Sequence, residues 1–490
     1  MSAFFAFENT FAAGLPELVT DWQAVAVPTP RLVAFNAALA GELGADPSAL
    51  QSPAGIAILA GNEVPEGARP VAMAYAGHQF GGYSPRLGDG RALLLGEVLD
   101  TGGVRRDLHL KGSGRTPFAR SGDGKATVGP MLREFLLAEA MFALGIPTNR
   151  ALAVVTTGEQ IQRQRLEPGA LLTRVAGSHL RVGTFEYAAR LGDPELLRRL
   201  ADYTITRHYP ELAESASPYL SLLERVIEAQ AQLVARWMLV GFIHGVLNTD
   251  NVALSGDGID YGPCAFMDQY DPATVFSSID HGGRYAYGNQ PGVTQWNLTR
   301  FAETLVPLID PDVEVAVEAA TTMLEGFPDR FGAHWSSGMG KKLGLTTEEA
   351  DDTALFRDLL DAMQAGRVDF TAAFRSLAAA LRGDGEAVTA RFGAQSLIHE
   401  WLPRWTERLA HEGDASADVA AAMDAINPIY IPRNHLVDEA LNAATEGDYA
   451  AFEALDAVLS DPFTEQPGQE RYAEPAPADF NKGFQTFCGT

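Results

Sequence analysis

Apolar and polar positions along this chain switch repeatedly between a period of two and a period near 3.6, so the pattern predicts mixed strand and helix. Residues 92–98 and 107–111 read as strands. In the second, Leu108 and Leu110 face one way while His109 and Lys111 face the other, with Gly102 and Gly103 in the intervening turn. Pro130 opens and Gly145 closes a helix along which Glu134, Phe135, Ala138 and Phe142 recur at helical spacing. Strands follow at 151–157 and 170–175. A helix over 217–239 then sets Leu222, Leu223, Val226, Ile227, Leu233, Val234 and Trp237 on one side.

Other stretches carry shorter signals. Pro30 and Gly44 punctuate a helix over 30–43. Residues 72–91 form a loop rich in glycine. Residues 252–254, the turn Ser255-Gly256-Asp257-Gly258 and a return through Ile259 predict a β-hairpin, in which Asn251 and Asp260 point from one face of the ribbon. From about 300 to 425 the pattern is helical, with Trp296, Trp335, Trp401 and Trp405 as core, and the remainder becomes Pro-rich and then extended. The expected organisation is an N-terminal arm (1–70), a strand-rich lobe (71–190), a mostly helical lobe (191–425) and a C-terminal segment and tail (426–490).

Charge and cysteine content narrow the function. The 490 residues carry 37 Lys and Arg against 63 Asp and Glu, a formal net charge of -26, which argues against nucleic acid or an anionic membrane as partner. Residues 86–190 depart from this, with 15 Lys and Arg against 10 Asp and Glu, as an anion pocket or a chance cluster on a solvated face would. Two cysteines, Cys264 and Cys488, are too few for a secreted disulfide framework, and the most apolar window, 233–247, is interrupted by Arg236 and His244. A cytoplasmic protein is expected.

The candidate chemistry follows from order. An amide (Asn251) and a carboxylate (Asp260) are hard oxygen donors suited to Mg²⁺, with Mn²⁺ as the alternative ion; turn-forming and strand-capping are the competing roles for such residues. Upstream lie the Gly-rich loop, a strand lysine (Lys111), a helix glutamate (Glu134) that needs a cation on its apolar face, and Arg174 and Arg181, which suit phosphate oxygens. This is the order of parts in a protein kinase. However, Val246 follows His244-Gly245 where small-molecule kinases of that fold carry the catalytic Asp, and an Asp stands instead at position 250.

Long motifs then identify a resemblance. GHQFG (77–81), LGDGRA (87–92), KGSGRTPFAR, GDGKA, REFLLAEAM, LGIPTNRAL, LLTRVAGSHLRVGTFEY, HGVLNTDN, IDYGPCAFMD and NPIYIPRNHL resemble the selenoprotein O family, also called YdiU, of pseudokinase-fold protein adenylyltransferases. The resemblance implies an α+β, two-lobed, protein-kinase-like fold and transfer of AMP from ATP to protein hydroxyls, with the nucleotide flipped relative to active kinases. It implies Asp250 as proton acceptor, Asn251 and Asp260 as metal ligands, and Gly88, Gly90, Arg91, Lys111, Asp123, Gly124, Arg174, Arg181 and Asp260 around the nucleotide. Glu134 would pair Lys111. Arg86 and Lys125 depart from the family's Gln and Arg, and Cys488 occupies its selenocysteine position, so any redox role would be weaker but open to a thiol, with Cys264 as partner if the tail folds back and an exposed tail thiol as the alternative. Phosphotransfer of the kinase kind and a silent ATP-binding scaffold remain as alternatives.

Overall fold

A computed structural model describes residues 4–393, 397–413, 416–477 and 479–487. Its strands β1 (Val19–Asp21), β2 (Arg31–Phe35), β3 (Val71–Met73), β6 (Ala92–Leu99), β7 (Arg105–Lys111), β8 (Arg150–Gln162) and β9 (Leu166–Ala176) form one sheet in the order β1-β3-β6-β7-β9-β8-β2, antiparallel throughout. β4 (Gly77–Gln79) and β5 (Gly82–Ser84) form a separate hairpin inside the Gly-rich stretch, closed by Phe80 and Gly81, both at positive φ. The β6–β7 turn is closed by Asp100, whose Oδ1 accepts from the Gly102 and Val104 amides at 3.0 and 2.8 Å.

The 30–43 helix expectation is half wrong. Residues Arg31–Phe35 are a strand on β8, and only Ala37–Glu42 is helical, capped by Asn36, whose side chain accepts from the Leu39 amide. A two-period run, RLVAF, was hidden behind the proline. The first 70 residues therefore supply both edge strands of the sheet.

The Val128–Ala143 helix buries Met131, Leu132, Phe135, Leu136 and Ala138 in the main core with β8 and β9, and it carries Glu134 inward with them. The Pro218–Leu239 helix buries the predicted stripe from Leu222 to Trp237 in the same core. Burial of each large aliphatic side chain stabilises by roughly 1.5–3 kcal/mol. That helix ends at Gly241 (φ 74) and delivers the chain into β10 (Phe242–Ile243), which pairs with β11 (Ala265–Phe266).

Between β10 and β11 the predicted hairpin is absent. Ala253 bridges Arg181 and Gly258 bridges Thr148, so the two arms pair outward with different segments. The Val182 amide donates to the Val252 carbonyl at 2.9 Å and the Leu254 amide to the Leu180 carbonyl at 3.0 Å. Backbone groups must be satisfied, and here neighbours from 147–149 and 180–182 reach them first. Two other expectations also change. Trp401 and Trp405 are core, but Trp296 and Trp335 are only partly buried. The C-terminal segment is not extended from its start, because Asn434–Thr445 and Ala450–Leu459 are helices, the second touching Phe135 through Phe452. No described helix is long and apolar enough to cross a membrane.

Candidate active site

β7 ends on Lys111, and two-residue alternation turns this lysine to the same face as His109, opposite the buried leucines. Its Nζ donates to Glu134, brought by the Val128–Ala143 helix, and to Asp260 Oδ1 at 2.8 Å. From β9, Arg174 Nη1 donates to the same Asp260 oxygen at 2.6 Å. Arg181, at the start of the Val182–Arg190 helix, reaches Asp260 Oδ2 at 3.3 Å and the Asp250 carbonyl at 2.8 Å. Asp260 itself sits at φ 60, a left-handed conformation in which Asp is more at ease than most residues. Burial alone would raise its carboxyl, yet Lys111, Arg174 and Arg181 hold it well below the usual range. Lys111, Arg174 and Arg181 thus meet Glu134 and Asp260 in one cluster of alternating charge.

Asp250 lies in the short 3₁₀ turn Thr249–Asn251 under quite different conditions. It is 8% exposed, its Oδ1 has no hydrogen-bond partner, and Gln79 Nε2 reaches Oδ2 only at 3.4 Å. Burial pushes its carboxyl up to about 6 despite Arg181. The β4–β5 hairpin covers it: a Cβ added at Gly77 would stand 2.5 Å from Oδ1. The hairpin is pinned there by the His78 amide on Thr249 Oγ1 at 2.7 Å and the Phe80 amide on Asn248 Oδ1 at 3.1 Å.

Asn251 Nδ2 donates to the Val246 carbonyl at 2.7 Å, which leaves the amide oxygen as the acceptor on the other side of the planar group. No ribbon joins it to Asp260. Among the described residues no group of three or more His, Cys, Asp and Glu could hold a metal ion. Asn251 and Asp260 could offer an ion oxygen ligands, with both Asp260 oxygens already held by cations. That donor set suits Mg²⁺, which keeps waters and substrate phosphates as ligands.

The remaining candidates lie in the loops beside this cluster. Gly88 (φ 74) and Gly90 let residues 118–119 approach, since a Cβ would come within 2.4 Å of Phe118 and 3.1 Å of Ala119 respectively. At Gly124 (φ 74) a Cβ would meet the Arg115 amide at 2.2 Å. The Arg91 carbonyl accepts from the Gly112 amide at 2.7 Å. Asp123 faces outward and pairs with Arg163 at 2.8 Å.

The family model for protein adenylyltransferase SelO matches residues 4–460. This chain belongs to the SelO protein adenylyltransferase family. Relatives named protein nucleotidyltransferase YdiU are similar over their full lengths: 58% identity in Mycolicibacterium smegmatis (98% of each chain), 57% in Cereibacter sphaeroides (99% of this chain, 100% of that one) and 55% in Rhodopseudomonas palustris (all of both). A SelO family member is an enzyme, a nucleotidyltransferase by class.

In this SelO family member Cys264 is buried, and its thiol donates to the Tyr261 carbonyl at 3.2 Å. Cys488 lies outside the described residues. The described end of the chain comes close, with Thr486 Oγ1 donating to the Pro263 carbonyl at 2.5 Å. Sequence reasoning missed Gln79, Asn248, Thr249, Glu186, which accepts from Thr249 Oγ1 at 2.6 Å, and the buried pair Asp89 and His109. The inward alternation of DLHLK was the available signal for His109, and LGDGR for Asp89.

Proposed function

We propose that this chain transfers AMP from ATP to Ser, Thr or Tyr hydroxyls of proteins in a Mg²⁺-dependent reaction, on a kinase-like two-lobed frame. The observation that carries the reading is Asp250, a buried carboxylate with a bare oxygen, close to the guanidinium of Arg181 and the loop that brings Asp260 to Lys111 and Arg174. The family and the relatives' names support the reaction class. In the reaction the target hydroxyl oxygen attacks the α-phosphorus, an O–P bond forms, the bond to the β-phosphate oxygen breaks, and pyrophosphate leaves. Asp250 Oδ1 accepts the hydroxyl proton. Lys111, Arg174 and Arg181 bind and orient the phosphates, with Glu134 steering Lys111, and the backbones at Gly88, Gly90 and Gly124 and the side chain of Arg91 line the nucleotide, while Asp123, paired outward with Arg163, shapes the loop that carries Gly124. Asn251 and Asp260 would hold Mg²⁺, which when bound offsets phosphate charge.

ATP labelled on the α- or the γ-phosphate tests this directly. Label from the α position is expected to stay on the target protein and label from the γ position to leave with pyrophosphate. Retained γ label would replace the proposal with kinase-type transfer, and no label from either position would leave an ATP-binding scaffold.

A further inference from the structure

Behind the cation cluster lies a chain of buried side chains that the reaction above does not use. His109 and Arg174 are direct cross-strand partners in the β7–β9 register, so both project from the face that carries Lys111. Arg174 Nη2 lies 3.1 Å from His109 Nδ1, and His109 Nε2 lies 3.0 Å from Asp89 Oδ2. An arginine can only donate. His109 Nδ1 must therefore be the acceptor, which places the ring proton on Nε2, donated to Asp89. The imidazole is neutral, as burial and the adjacent Arg174 charge also favour.

Both ends of this chain matter to the site. Asp89 sits between Gly88 and Gly90, and it turns inward: its Oδ2 also accepts from the Met73 amide at 3.1 Å, and its carbonyl accepts from Thr116 Oγ1 at 2.6 Å. At the other end Arg174 meets Asp260 at 2.6 Å. The ring of His109 is held flat by His179, stacked at 4.2 Å and 20°, which is in turn fixed by Asp107 through the His179 amide at 2.8 Å. Arg174 Nε has no hydrogen-bond partner, so the Nη contacts to His109, Asp260 and Glu134 set its orientation.

We infer that His109 is a positioning residue, an imidazole whose Nδ1 holds Arg174 against Asp260, with Asp89 fixing the ring. The inference rests on the nucleotide site proposed above. It assigns His109 no contact with substrate.

The test uses the full chain with His109→Asn and His109→Gln. The Asn amide oxygen stands where Nδ1 stood and keeps the acceptor for Arg174, whereas the Gln amide reaches toward Nε2 and Asp89 instead. Two readouts are taken: MgATP affinity by calorimetry, and kcat and KM for α-label transfer, each corrected for the folded fraction. Loss of a hydrogen bond to a charged group typically costs about 10–100-fold. The Gln variant is expected to lose about tenfold or more in MgATP affinity and in kcat/KM, and the Asn variant less than about threefold, at similar thermal midpoints. Equal losses in the two variants, or a Gln variant that matches the wild type, would overturn the inference. Wild-type protein that transfers no α label would sink the proposed function alone, because the calorimetric comparison still decides the role of His109.

Discussion

Asp250 and Asp260 belong to one loop between β10 and β11, carry the same functional group, and have been given opposite environments. Asp260 is touched by Lys111, Arg174 and Arg181 and stays ionised under all ordinary conditions. Asp250 is more deeply buried, keeps one oxygen bare, and has its carboxyl raised to about 6. Pairs of carboxylates pushed apart in this way divide tasks: the one held by cations organises charge, and the one left bare can take a proton. The difference comes from where the neighbours stand. Arg181 gives its guanidinium to the Asp260 carboxylate but only to the backbone carbonyl of Asp250.

Removing Asp260 should have the largest effect. Asp260→Ala leaves three buried or half-buried cations facing one another, and breaking such a network costs about 3–5 kcal/mol. A matching drop in the denaturant midpoint, with α-label transfer abolished, is expected; an unchanged midpoint would mean that the cluster holds nothing together. Asp250→Asn should do the reverse to stability while still stopping the chemistry. Transfer is expected to fall about 10²–10⁴-fold, with MgATP affinity retained and the thermal midpoint equal or higher, since a buried amide costs less than a buried carboxylate with a bare oxygen. Wild-type rates in this variant would remove Asp250 from the mechanism. A gentler probe is Gly77→Ala, whose Cβ would stand 2.5 Å from Asp250 Oδ1. Displacing that oxygen should slow transfer about tenfold without changing MgATP affinity, whereas equal weakening of both would show that the two carboxylates act as one unit.

The frame of this comparison was legible in the sequence where one period dominated. β6, β7 and the helices at Val128–Ala143 and Pro218–Leu239 follow their alternation or stripe, while the pairing of Lys111 with Glu134 follows from the kinase-like order of parts and is present in the fold. The 244–264 loop was not legible in the same way. Its short apolar runs resemble hairpin arms, but their partners at 147–149 and 180–182 are distant in sequence, and no local pattern announces them. The same holds for Asp89, His109, Asp107 and His179. A buried polar residue on a strand looks like an exposed one until its partner is located. That Arg174 and Arg181 grip a protein carboxylate likewise depends on Asp260 arriving from a segment 86 and 79 residues away.

A third carboxylate separates burial from function. Asp456, on the Ala450–Leu459 helix, is also pushed up to about 6, first by burial and then by Glu139, yet it lies on the helical segment packed behind Phe135 and not in the loop that carries Asp250. Its folded pKa lies above the ordinary value of 3.8. Between those two pH values the folded chain therefore holds more protons than the unfolded one, and stability falls as pH rises through the window. Above about 6 the cost is complete. Asp456→Asn should thus stabilise the protein at pH 7 by about 1–3 kcal/mol, and the gain should shrink to nothing as pH is lowered toward 3.8. Paired urea titrations of wild type and variant at several pH values measure this difference, and α-label transfer should be unchanged. A gain that did not depend on pH would trace to helix propensity, and lost transfer would mean that raised carboxyls outside the Asp250 loop also serve the reaction.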